Sequence, residues 1–111
     1  FSNPEEPIPE YEVKRKIWVV MTAYSSSVWE TQGDPFITAS GTRVHWGTVA
    51  ANFLPFGTKI KIPSVFGDQI FTVEDRMNPR KKIHIDIWYP NRAQALNFGV
   101  KQGYIEVLEE K

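Results

Sequence analysis

"VEDRMNPRKKIHIDIW", residues 73 to 88, decides how the rest of the chain is read. Two apolar stretches are joined by a basic, proline-containing turn, and each holds an aspartate near one end, Asp75 in the first and Asp86 in the second. Strict alternation in "IHIDIW" puts Ile83, Ile85 and Ile87 on one face of a strand and His84, Asp86 and Trp88 on the other. For an arbitrary strand the second face is simply solvent-facing. A tryptophan there is costly unless covered, and flat aromatic surface beside a carboxylate is a common way to hold a sugar ring. In "DQIFTVED", 68 to 75, Phe71, Val73 and Asp75 share parity, which predicts Asp75 at the rim of the core. The alternative is a turn aspartate accepting bonds from the backbone of "RMNP".

Outward from this stretch, short β-prone runs recur between turn residues. "KIWVVMTAY" (16–24), "GTVAANF" (47–53), "GTKIKIP" (57–63), "DQIFTVED" (68–75), "IHIDIW" (83–88) and "GYIEVLE" (103–109) predict six strands and hence a small barrel. One short helix is expected over "PNRAQALNFG", 90 to 99. Asn91 is its N-cap, Ala93, Leu96 and Val100 recur at helical spacing, and Gly99 stops it. The stretch 25 to 41 is polar and rich in turn formers, a long loop of the kind that often carries function. "FSNPEEPIPE" contains three prolines and little apolar content, so residues 1–15 read as an extended tail or linker and 16–111 as one domain.

Composition narrows the class. A chain of 111 residues buries one core without metal or disulfide support, and cysteine is absent, which removes thiolate metal sites and cysteine nucleophiles. Thirteen basic residues balance thirteen acidic ones, so no positive field points to nucleic acid. The longest apolar run, "IWVVM", is far short of the roughly 20 residues a membrane helix needs. His45 and His84 lack a local metal-ligand spacing, and no glycine-rich phosphate loop is present, so neither metal nor cofactor is expected. A Ser40, His84, Asp86 triad assembles on paper, but "TASGT" is not a nucleophile elbow.

Taken in order, "VMTAYSS", "ITASGT", "VAANFLPFGTKIKIP", "VEDR" and "HIDIWYPNRAQALNFGVKQGYIEVL" resemble the 3D domain, named for three aspartates, of bacterial cell-wall proteins. Its members include stationary-phase survival muralytic factors and the catalytic barrel of membrane-bound lytic transglycosylase A. The resemblance covers residues 17 to 108, with Asp75 and Asp86 spaced 11 residues apart. It implies a mainly β fold, a six-stranded double-psi β-barrel. It also implies cleavage of the β-1,4 bond between N-acetylmuramic acid and N-acetylglucosamine in peptidoglycan. Asp86 then corresponds to the catalytic acid and Asp75 to its neighbouring aspartate, with Thr22, Tyr24, Thr38, Ser40 and Asn52 as supporting and sugar-contact residues; Arg76, His84 and Trp88 join the expected substrate contacts by their place beside the two aspartates. The partner is a peptidoglycan glycan strand, and the chain is expected to be a monomer of the cell envelope, periplasmic or extracellular, with an upstream signal or anchor missing.

Two departures stand out. "VAAN" places Asn52 where the family's first aspartate usually lies, and "DRMNPRKKIH" replaces a loop that usually reads like "DTGGAIKG". Asn52 hydrogen-bonds but does not ionise. Two readings are therefore carried forward: a lytic transglycosylase, and a non-catalytic glycan-binding module on the same barrel, as in expansin-like proteins.

Overall fold

The protein's computed structural model describes residues 9–26 and 34–111. Its elements run β1 (Tyr11–Tyr24), β2 (Thr48–Ala50), β3 (Lys59–Lys61), α1 (Pro63–Phe66), β4 (Ile70–Asp75), β5 (His84–Trp88), α2 (Arg92–Phe98) and β6 (Lys101–Glu110). The strands close into a barrel in the order β1-β5-β2-β4-β3-β6. The β1–β5 and β2–β4 seams are parallel and the other four antiparallel. Parallel neighbours cannot be joined by a tight hairpin and need longer crossover connections. No helix among the described residues is long and apolar enough to cross a membrane.

Alternation explains the closure. Val19 and Met21 of β1, Val49 of β2, Ile60 of β3, Phe71 and Val73 of β4, Ile85 and Ile87 of β5, and Ile105 and Val107 of β6 all point inward and are buried. An uninterrupted ring of such residues leaves no unpaired sheet edge around the core.

Some boundaries differ from the sequence expectation. The domain begins earlier than residue 16, because β1 starts at Tyr11 and its first residues pair with the end of β6, from Tyr11 opposite Glu110 to Lys16 opposite Glu106. This ribbon extends beyond the barrel, so Glu12, Val13, Lys14 and Arg15 are exposed and no apolar alternation marks them. The tail expected over residues 1–8 lies outside the described residues.

Among the described residues there are two helices rather than one. The additional α1 is a single turn begun by Pro63, too short to show a periodicity. It lies close against β6 because residue 103 is glycine; a Cβ there would come within 3.1 Å of Ser64 Oγ and 3.2 Å of Met21 Cε. Helix α2 has the expected ends, with Asn91 Oδ1 accepting from Gln94 N and Gly99 at φ 72°. Its buried residues are Ala95 and Phe98, however, while Leu96 and Val100 are exposed. Phe98 is the deciding contact, its ring stacked parallel to Phe66 and tilted against Tyr89.

Candidate functional site

A β-bulge brings the two aspartates to one face. Along the β2–β4 seam Val49 is level with Val73, but Ala50 is level with Asp75, so Glu74 is an extra residue on β4. The bulge corrects the parity expectation. Val73 still points inward, whereas Asp75 turns to the outer face instead of the core rim. Across the other edge of β2, Ala50 is level with Asp86. Asp86 lies outward too, between the inward Ile85 and Ile87.

Among the described residues one partner fixes the Asp86 carboxyl. On the parallel β1–β5 seam it is level with Thr22, whose Oγ1 donates to Asp86 Oδ1 at 3.0 Å. Among the described residues Oδ2 has no hydrogen-bond partner. Burial is the main cause that raises this carboxyl from its ordinary 3.8 to about 6; the Thr22 bond works against the rise, and the charge of Asp75 adds to it.

Asp75 is held differently. Tyr24 Oη donates to its Oδ2 at 2.9 Å, and the backbone N–H groups of Ala39 and Arg76 both donate to its Oδ1 at 2.9 Å. Of the two readings of this aspartate the turn acceptor applies, since the Arg76 amide donates to it, and the core-rim reading does not. Burial first, then the charge and hydrogen bond of Asp75, hold the Tyr24 phenol far above its ordinary range. Tyr24 is therefore a fixed donor, braced further by Tyr89 N donating to Tyr24 O at 2.8 Å.

Thr38 and Ser40 lie one step behind the carboxylates. Thr38 Oγ1 meets Ser40 Oγ at 2.9 Å and Thr42 Oγ1 at 2.7 Å, and Thr42 Oγ1 donates to Glu74 Oε2 at 2.6 Å. Ser40 N donates to the Glu74 carbonyl at 3.1 Å. The bulged Glu74, 9% exposed, also meets His45 Nε2 through Oε1 at 2.8 Å. His45 Nδ1 lies 2.9 Å from the Trp46 carbonyl, so only a doubly protonated ring donates to both acceptors. The Trp46 carbonyl is the first cause raising His45 above its ordinary 6.5. Burial opposes it, the Glu74 bond and charge add to it, and Lys59 opposes it. Sequence reading missed Glu74, Thr42 and His45. The signal was two consecutive acids ending an apolar strand, next to a loop with three hydroxyl residues.

Asn52 faces the inter-aspartate loop, and the Arg76 side chain faces the segment 51–56, rather than the carboxylates. Asn52 Nδ2 donates to the carbonyls of Asn78 at 2.9 Å and Lys81 at 3.1 Å, and its Oδ1 accepts from Met77 N at 3.1 Å. Two acceptors on one side and a donor on the other require an amide. Arg76 donates to Ala51 O at 2.8 Å and lies 3.8 Å over the Phe56 ring. Both are structural braces in this arrangement.

His84 is half-buried and level with Val20, two residues before Asp86 on the same outer face. Trp88 shares that face but is covered, 9% exposed, with Nε1 donating to Ser26 Oγ at 3.1 Å. It offers no open ring for stacking. Ser40 bonds within its own loop, so the paper triad with His84 is not assembled. No cluster of three or more potential metal ligands occurs among the described residues.

A cavity of about 260 Å³ opens beside Tyr24, bounded by Ala23, Ser25, Arg92, Ala95 and Leu96. A larger one, about 610 Å³, lies against Tyr11, Lys14 and Arg15 at the far end of β1 and takes no part in the carboxylate pair. No protein-family model and no curated protein sequence matches this chain.

Proposed function

We propose that this barrel is a peptidoglycan lytic transglycosylase domain of the bacterial cell envelope, with Asp86 as the single acid–base group. The observation that carries the reading is Asp86 itself: a carboxyl raised to about 6, with one oxygen held by Thr22 and the other unclaimed among the described residues. A general acid works best when its pKa lies near the working pH. An ordinary surface aspartate is almost wholly ionised there.

In the proposed reaction Asp86 gives its proton to the glycosidic oxygen as the C1–O bond breaks. The resulting carboxylate then takes the proton of the muramic acid's own 6-hydroxyl as that oxygen bonds to C1, leaving a 1,6-anhydro product and restoring the acid. One carboxyl suffices, unlike the paired arrangement of ordinary glycosidases. Asp75, held by three donors, contributes negative charge beside the positively charged transition state. The resemblance of "VEDR" and "HIDIW" to the 3D domain supports the same assignment.

One observation favours the second reading, a non-catalytic glycan-binding module. Asn52 and Arg76 are committed to the loop and to Phe56, which leaves fewer polar groups for a transition state. Mass spectrometry of purified peptidoglycan after incubation separates the two. Anhydromuropeptides are expected. Reducing-end muropeptides indicate a hydrolase, and glycan retention without soluble product indicates a binding module.

A further inference from the structure

The face that carries Asp86 continues along β1 toward two aromatic rings. Lys16, Trp18, Val20, Thr22 and Tyr24 alternate with the inward Val19 and Met21. On one side Thr22 is level with Asp86 and Val20 with His84. On the other, Val20 is level with Gln102, Trp18 with Tyr104 and Lys16 with Glu106. Register partners share a face, so the carboxyl, the imidazole, the Gln102 amide and the two rings lie on one continuous strip.

Trp18 and Tyr104 are 53% and 55% exposed. Their centroids are 4.9 Å apart at 78°, an edge-to-face pair that leaves a ring face open beside it. Helix α1 supplies a wall, so that Pro63, Ser64, Trp18 and Tyr104 bound a cavity of about 360 Å³. The wall stands this close because Gly103 has no side chain to collide with Ser64. Hydrogen-bonding groups ring the aromatic floor: the Ser64 hydroxyl, the Gln102 amide, and Lys16 with Glu106 at 4.0 Å. An apolar floor with polar groups at its margin matches a pyranose ring, which presents C–H bonds on its face and hydroxyl and acetamido groups at its edge.

Distance links this pocket to Asp86. Four residues of strand separate Trp18 from Thr22, roughly 13 Å at about 3.3 Å per residue. About two or three linked pyranose rings cover that length.

We propose that the Trp18–Tyr104 pocket is a distal subsite for the glycan chain whose scissile bond meets Asp86, taking an N-acetylglucosamine-type ring and favouring long strands. The inference rests on the glycan-directed reading of Asp86. The strip accounts for Trp18 and Tyr104 standing exposed side by side on a rigid barrel wall, and it gives His84 and Gln102 the intervening ring as their partner.

The test is calorimetric titration of the full chain with chitin oligosaccharides of two and six rings, alongside product release from peptidoglycan. Wild type is expected to bind the six-ring chain at least about tenfold more tightly than the two-ring one. Trp18→Ala and Tyr104→Ala remove roughly that tenfold gain, with two-ring affinity and melting temperature unchanged, and Trp18→Phe restores most of it. A purely structural role does not produce a defect confined to long chains. Trp18→Ala with wild-type six-ring affinity overturns the subsite and leaves Asp86 untouched. Wild type that releases anhydro products yet does not discriminate by chain length overturns it equally. Wild type that neither binds the oligosaccharides nor releases product overturns both the subsite and the reading beneath it.

Discussion

Asp75 and Asp86 flank a single residue: both are level with Ala50, Asp75 across the parallel seam of β2 and Asp86 across its antiparallel seam. Adjacent strands lie about 4.8 Å apart, so the two backbones are roughly 10 Å apart and only a methyl group stands between the side chains. The partners divide unequally. Among the described residues three donors hold Asp75 and one holds Asp86. Two carboxyls in unlike surroundings are how one site separates a fixed anion from a proton carrier.

Asp86→Asn keeps the shape of the side chain and removes its transferable proton. Product formation is expected to vanish while glycan pull-down persists. In the wild type the rate should fall as pH rises through about 6. Retained cleavage in the variant makes Asp75 the next candidate.

The same substitution has a signed effect on stability. The folded value of Asp86, about 6, lies above its ordinary 3.8, so the stability linked to its proton is full below 3.8 and lost as pH rises through 6. Asn does not ionise. Relative to wild type, Asp86→Asn should therefore gain on the order of 1–3 kcal/mol between pH 4 and pH 8. Urea denaturation at the two pH values measures the gain, and equal gaps at both would contradict the raised carboxyl.

Thr22→Val preserves volume but deletes the bond that lowers Asp86. The carboxyl should move further up, and the alkaline limb of activity with it, at a stability cost within about 1.5 kcal/mol. Carbon NMR titration of the aspartate carboxyls reads the direction directly; a downward move rejects the assigned bond.

Asn52→Asp tests whether a carboxylate is tolerated at that position. The variant loses both amide donors and turns an anionic oxygen toward the carbonyls of Asn78 and Lys81. A loss of about 1–3 kcal/mol is expected, with faster hydrogen exchange over residues 77–82. The amide is then the residue that this loop requires. Unchanged exchange would show that the loop holds itself.

Glu74→Gln removes the anion beneath the 34–47 loop. His45 is raised in the folded state, so its contribution is full below 6.5 and declines as pH rises through its folded value. The His45 side chain is 55% exposed, and screening keeps the effect to a few tenths of a kcal/mol. Exchange at the Ala39 and Ser40 amides should be slower at pH 5.5 than at pH 8 in wild type, after correction for intrinsic rates. The difference should shrink in the variant.

Much of this architecture was legible before any coordinates. Each of the six runs marked by alternation or β-branched residues coincides wholly or in part with a strand, because one face of each strand must line the core. Thr22, Tyr24, Asp75 and Asp86 form the inner part of the candidate site. The bulge at Glu74 was not legible, since an inserted strand residue has no composition of its own and reverses every parity inference beyond it. Nor was the burial of Phe98 in place of Leu96, which depends on the stack with Phe66 from a helix of one turn. The Tyr11–Lys16 ribbon escaped notice because both its faces meet water. Asn52 and Arg76 read as substrate contacts only while the segments they brace were unknown.

The bond from Thr22 to Asp86 spans 64 residues of sequence and that from Tyr24 to Asp75 spans 51. Such loops must close before either contact contributes, so the carboxylate pair is a product of tertiary folding rather than a local motif. Topologies of this kind reach the native state in milliseconds to seconds, a range open to stopped-flow tryptophan fluorescence. Until β1 docks on β5, Asp86 lies in water and titrates as any aspartate does. The unusual acid therefore arrives only when β1 docks on β5, and a chain in which that seam is open has none of it.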